Sequence, residues 1–195
     1  MDSLLNRGFS IDTVDGSNHS MLMAAIVRNQ NCIVEYLLHR DSTLLDRNPS
    51  CLHDTVRDVH PNLEIVKTLI NAGAGVNDVI DENGHYPIHD AVYYTCNKRN
   101  RDVLEFLLNR GALVDARNDL GETALHLCIK SVASSKESRE MQVRMLLNYG
   151  ADCRLKTNAG ETAYDLCKRF ADMDSLANLL SEEMSLRESN FGFKK

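Results

Sequence analysis

Three histidines, His53, His89 and His126, recur 36 and 37 residues apart and are the first residues here that could do chemistry. Imidazole ligates metals and exchanges protons near neutral pH. His126 has Cys128 close by, but side chains two apart on a helix point in different directions and do not chelate one ion together. The sequence holds six cysteines, none in a C-x-x-C pair, and has no G-x-x-x-x-G-K-[ST] loop, no G-x-S-x-G elbow and no H-E-x-x-H helix. No catalytic residue, metal ligand or cofactor is therefore expected. A net charge of -6, from 22 basic and 28 acidic residues, disfavours nucleic acid and anionic membranes and suits a basic or neutral partner. No apolar run approaches the ~20 residues a membrane span needs. The start, Met1 to Arg7, lacks the apolar stretch of a secretory signal. The cysteines read as reduced, mostly buried thiols of a cytoplasmic or nuclear protein.

The elements that position these histidines repeat along the chain. Ser20–Ala25, Ser50–Thr55, Tyr86–Ala91, Thr123–Cys128 and Thr162–Cys167 superimpose, with first positions 30, 36, 37 and 39 residues apart. Between them recur Leu37-Leu38, Leu69-Ile70, Leu107-Leu108 and Leu146-Leu147, the last three followed at a fixed offset by Gly73, Gly111 and Gly150, each with an alanine after it. Ser20, Ser50, Thr123 and Thr162 place a hydroxyl where a helix N-cap is needed, and Pro87 suits a first helical position. The glycines close the second helix of a unit in the left-handed conformation. Gly84, Gly121 and Gly160 mark turns in the segment leading into the next unit. One unit cannot bury its apolar stripe alone, so the units stack. Asp41 stands where a glycine should end the first full unit's second helix, which predicts irregular geometry over 41–49.

These segments resemble the ankyrin-repeat family, whose signature is Thr-Pro-Leu-His-x-Ala in a unit of ~33 residues. The resemblance runs from residue 4 to about 180 and implies an all-α solenoid of about five stacked helix-turn-helix units with short hairpin fingers. The expected units are about 13–46, 47–78, 79–117, 118–157 and 158–180. Leu4 to Asp12 matches Leu107 to Asp115 without a preceding helix, so 1–12 is expected to be a half repeat, and 181–195 a C-terminal tail. That tail is either a terminus folded over the last unit or a short docking peptide. In this family the signature histidine bonds backbone and ties units together, which gives His53, His89 and His126 a structural duty.

The resemblance also implies that first helices and fingers line a concave face. Carried over position by position, the residue between His and Ala faces that groove: Ala24, Asp54, Asp90, Leu127 and Asp165. Beside them come Arg57, Asp58, Tyr86, Tyr93, Tyr94 and Lys130. Carboxylates next to aromatic rings suit a lysine or arginine side chain, through charge-assisted hydrogen bonds and cation–π contact. Alternatively these are solvated groups on helix surfaces, with one or two tyrosines packed between units. The unit spacing exceeds ~33 residues by ~4 and ~6 at two places, both between the helices of a unit. Lys98, Arg99, Arg101, Lys136 and Arg139 there form either a basic second surface, tunable by phosphorylation at Ser134, Ser135 or Ser138, or simply solvated loops.

The expected function is a monomeric protein-interaction module that binds a basic or mixed basic and apolar segment on the concave face. Three alternatives stand beside it: a small inhibitor or adaptor masking a signalling or transcription factor, a recognition domain cut from a larger protein, as a histone-tail or other basic-peptide reader would be, and a simple spacer.

Overall fold

The computed structural model describes residues 14, 19–58, 60–79, 82–93, 98–131, 135–170 and 172–191, with side chains to residue 186 in the last segment. The expected half repeat over 1–12, the chain ends at 192–195, Tyr94 and Ser134 lie outside these residues. Eleven helices are found among the described residues: α1 (Met21–Val27), α2 (Asn31–Arg40), α3 (Leu44–Arg47), α4 (Cys51–Arg57), α5 (Leu63–Asn71), α6 (Pro87–Tyr93), α7 (Lys98–Asn109), α8 (Ala124–Lys130), α9 (Lys136–Asn148), α10 (Ala163–Arg169) and α11 (Asp174–Phe191). Extended pairing there is limited to two antiparallel bridges at finger bases, Val14 with Ser20 and Lys156 with Thr162.

The helices form two rows. The first helices α1, α4, α6, α8 and α10 pack side by side in sequence order, and the second helices α2, α5, α7 and α9 form the other row. Each first helix has seven residues, too few to persist alone in water. Burial between the rows holds them. Leu22, Leu52, Ile88, Leu125 and Leu166 are sealed from solvent on one row and Leu37, Leu69, Leu107 and Leu146 on the other. Each such side chain contributes roughly 1.5–3 kcal/mol.

The Leu-Leu and Gly-Ala elements turn out to be parts of one hydrogen-bonded closure. At the end of α7, Gly111 N–H donates to Leu108 O (3.1 Å) and Ala112 N–H to Leu107 O (3.0 Å). The same pair of bonds closes α5 through Gly73 and Ala74, and α9 through Gly150 and Ala151. Gly111 takes φ +85°, in the left-handed region that favours glycine. Asn29, at φ +61°, performs this closure after α1, with Asn29 N–H on Ile26 O and Gln30 N–H on Ala25 O.

Asp41 breaks the pattern as its residue type predicts. It takes an extended conformation, accepts from Thr43 N (3.0 Å) and pairs with Arg47, and the one-turn helix α3 follows. Leu44, the first residue of that extra turn, is buried. Two expectations need correction. Ser50 is in the αR region and makes no side-chain capping bond, because the chain enters α4 from a tight turn in place of a finger. The boundary at 180 falls inside α11, which runs on without interruption from the last unit to Phe191.

Candidate partner-binding site

The three signature histidines each tie their unit to the next finger. Nε2 of His53, His89 and His126 lies 2.9, 3.0 and 3.1 Å from the carbonyl oxygens of Asp78, Ala116 and Leu155. His89 Nδ1 accepts from Tyr86 N–H (3.0 Å) and His126 Nδ1 from Thr123 N–H (3.2 Å), so both rings are neutral with the proton on Nε2. Burial pushes the pKa of His89 down to about 4 and lowers that of His126 as well.

His53 departs from this pattern. Its Nδ1 faces no backbone donor but Asp90 Oδ2 at 2.7 Å, while Nε2 donates to Asp78 O, so both nitrogens act as donors and the ring is an imidazolium. Burial opposes that charge, but the hydrogen bonds to Asp90 and the Asp78 carbonyl, with the Asp90 charge, hold its pKa above the ordinary value. Arg57 adds a guanidinium nitrogen 3.3 Å from Asp90 Oδ1, and His85 Nδ1 lies 3.4 Å from the same oxygen. Burial acts to raise the Asp90 pKa, and these cationic and donor neighbours outweigh it, leaving the carboxyl below its usual range.

This corrects the expected groove acceptor. Asp90 is fully buried, and its carboxylate is engaged by α4 of the preceding unit and by His85, so it is not offered to a partner. Leu127, at the equivalent position, is also buried between first helices. Of the five residues expected to line the groove at this position, Asp54 and Asp165 are exposed and Ala24 is half-buried. Asp165 serves as a cap: its Oδ2 accepts from Thr162 N–H (2.9 Å) while its own N–H donates to Thr162 Oγ1 (3.2 Å).

The remaining residues divide in the same way. Asp58 is exposed and its Oδ1 accepts from His60 N–H (2.7 Å). Tyr93 ends α6 with its side chain exposed, whereas Tyr86 is half-buried with its ring edge-on to His89 at 5.6 Å. Arg57 is spent on Asp90, and Lys130 Nζ sits 2.5 Å from Glu122 Oε1. Glu122 is nearly sealed from solvent. Burial would raise its pKa, but the bonds from Lys130 and Asn118 win and lower it. Within the following unit, Arg169 pairs with Glu161 in the same way. These inner pairs were missed in the sequence, although Lys130 and Glu122, like Arg169 and Glu161, are eight residues apart across a cap and a short helix.

The basic second surface changes character. Lys98, Arg99 and Arg101 occupy the first turn of α7 and Lys136 and Arg139 the start of α9, so these five basic residues sit on helices and not in loops. Arg139 donates to Ser131 O at the end of α8 and is thereby committed to holding the α8–α9 connection. Ser135 is the N-cap of α9, accepting from Ser138 N–H (3.2 Å). Among the described residues, no three His, Cys, Asp or Glu side chains converge as metal ligands, and no helix is long and apolar enough to cross a membrane.

Opposite the helices, the fingers are joined edge to edge. Asp119 N–H donates to Asn83 O (3.0 Å), Asn158 N–H to Leu120 O (2.9 Å) and Asn158 Nδ2 to Asp119 O (2.8 Å). A Cβ on Gly121, at φ +72°, would stand 2.4 Å from Asn158 Oδ1, so both the backbone conformation and the finger contact require glycine.

A family model of ankyrin repeats, in three copies, matches residues 22–118 and 52–157. The chain is 34% identical over 97 residues to a fem-1 homologue of Drosophila melanogaster, covering 50% of this chain and 13% of that protein. It is 25% identical over 125 residues to a probable serine/threonine-protein kinase of Dictyostelium discoideum (62% of this chain, 12% of the kinase). An ankyrin repeat protein of variola virus is 29% identical over 138 residues, covering 63% of this chain and 23% of its own length. The chain thus spans less than a quarter of each of these relatives, and the likeness to the kinase lies over the repeats. With matched segments running through most of its units, and with the stacked helix pairs and glycine closures described above, the chain belongs to the ankyrin-repeat family.

Proposed function

We propose that the protein is a recognition module that takes a basic segment of another protein across the first helices of its second and third units. Ankyrin repeats mediate protein–protein interaction, and the family is typically non-enzymatic. Asp54 on α4, Asp58 just past its end and Tyr93 on α6 are the contacts this reading assigns. The observation that carries it is a difference in charge compensation along the first-helix row. Asp90, Glu122 and Glu161 are neutralised from within by Arg57, Lys130 and Arg169, whereas Asp54 and Asp58 are exposed and carry no ion pair. A solvated carboxylate without an internal cation is free to exchange water for one, and an exposed tyrosine on the next first helix adds amphipathic contact area. The recognised segment is therefore basic with apolar character, in a chain whose own net charge is -6.

The test is affinity capture from cell lysate, quantified by mass spectrometry. Four baits of matched thermal stability are compared: the native chain, Asp54→Lys with Asp58→Lys, Tyr93→Ala, and Glu105→Lys on the second-helix row. A protein retained by native and Glu105→Lys baits but lost from the other two supports the assignment. Equal recovery by all four baits removes it.

A further inference from the structure

Between α1 and α4 the first-helix row is incompletely filled. Met23, Ile26 and Val27 of α1 and Asp54 and Asp58 beside α4 line a notch of about 50 Å³. Its chemistry is split. Val27 leaves 62% of its surface in water, and its neighbour Ile26 is buried. The opposite wall carries the two carboxylates without ion pairs. The rim is fixed: Asn62 Nδ2 donates to Asn29 Oδ1 across it at 2.7 Å, and Asn29 is itself locked in the left-handed closure of α1. The volume is far below the roughly 300–1,000 Å³ of a small-molecule site, so the notch suits the end of one side chain.

Resting on the reading above, we propose that this notch receives a lysine side chain of the bound segment. Its methylenes lie along Val27 and Ile26 and its ammonium sits between Asp54 and Asp58. An apolar stem with a cationic tip matches an apolar wall facing an acidic one. Lysine fits better than arginine for a geometric reason. Asp58 Oδ1 already accepts from His60 N–H, which leaves that oxygen one lone pair and weakens a guanidinium fork there, and a notch of about 50 Å³ suits the smaller ammonium. An ammonium, with three donors about a single nitrogen, needs only one oxygen from each aspartate.

The test uses n-butylammonium as the lysine side chain, with n-butylguanidinium and n-butanol as comparisons, titrated into the whole chain and followed by amide NMR shifts. The expected result is saturable binding on the order of millimolar, with shifts confined to the stretches that line the notch, from Met23 to Asn29 and from Asp54 to Ile65. It weakens at least about tenfold for n-butanol and for the Asp54→Asn/Asp58→Asn double variant, a pair of changes at exposed positions that leaves the melting transition in place. Guanidinium binding as tight as ammonium, butanol binding as tight as either, or shifts scattered over the surface overturns the proposal. This titration is independent of partner capture. If Tyr93→Ala loses a partner while butylammonium finds no site, the lysine notch fails and the interaction module stands. If butylammonium binds while all capture baits recover the same proteins, the wider assignment of the face fails instead.

Discussion

Replacing Asp90 by asparagine tests the buried ion cluster between the second and third units at nearly constant shape. The carboxylate is fully buried, with His53 Nδ1 at 2.7 Å, Arg57 at 3.3 Å and His85 Nδ1 at 3.4 Å. Removing one member of a buried pair costs about 3–5 kcal/mol. The lower end applies here, because the new amide can donate to a neutral His53 and the Arg57 side chain, 31% exposed, keeps some of its water. The expected loss is thus about 3 kcal/mol near pH 5.5. The pH dependence fixes the mechanism. His53 has a folded pKa above its unfolded value of ~6.5, so its contribution is complete below that value and disappears as pH rises through the folded pKa. Asp90 has a folded pKa below ~3.9, so its share is present above that value and is lost as pH falls through the folded one. The difference between native and Asp90→Asn chains should therefore shrink between pH 5.5 and 9, by about 1.4 kcal/mol for each unit that His53 stands above 6.5. Urea unfolding followed by circular dichroism measures it, and a broadened transition in the variant would report uncoupled units. A difference below about 0.5 kcal/mol at pH 5.5, or one constant up to pH 9, would refute the charged cluster.

Two further outcomes follow from the same geometry. His89 is depressed to about 4, so its share of stability is present above ~6.5 and is lost as pH falls toward 4; the native melting temperature should drop more between pH 7 and 4.5 than that of His89→Gln, and parallel slopes would contradict the neutral ring. Gly121→Ala should destabilise by about 2 kcal/mol, since the new methyl meets Asn158 Oδ1 at φ +72°, whereas Gly150→Ala, at φ +93° with nothing within 4 Å, should cost about 1. Equal losses in urea unfolding would remove the finger contact from the argument.

The repeat pattern, the caps other than Ser50 and the structural role of the histidines were legible because they are local. A hydroxyl three residues before a histidine, or a glycine after a leucine pair, is read within one turn of chain. Asp90 was not legible, since its burial depends on His53 and Arg57, 37 and 33 residues earlier, reaching it across the stack. Its repeat position is the same as that of exposed Asp54, and nothing in the hexapeptide distinguishes them. The long connections were misread for a related reason. Lys98–Asn109 carries a basic first turn, which opposes the helix dipole and looks like loop sequence, while Lys136–Asn148 opens on a mixed Lys-Glu-Ser-Arg turn, and packing of Val103, Leu107, Val143 and Leu146 fixes both as helices. The notch beside Val27 also needs two units in place before it exists.

The ion cluster has a consequence for modularity. An array whose joints were all alike could gain, lose or exchange units freely, as consensus repeats do. Here the second unit presents an imidazolium and a guanidinium to the third, and the third answers with a buried carboxylate. Delete residues 79–117, and the fourth unit would dock with Leu127 where Asp90 had been, setting a hydrocarbon against two cations. The joint between units two and three is keyed, so the order of these units is part of what the sequence encodes and recombination cannot shuffle them without loss.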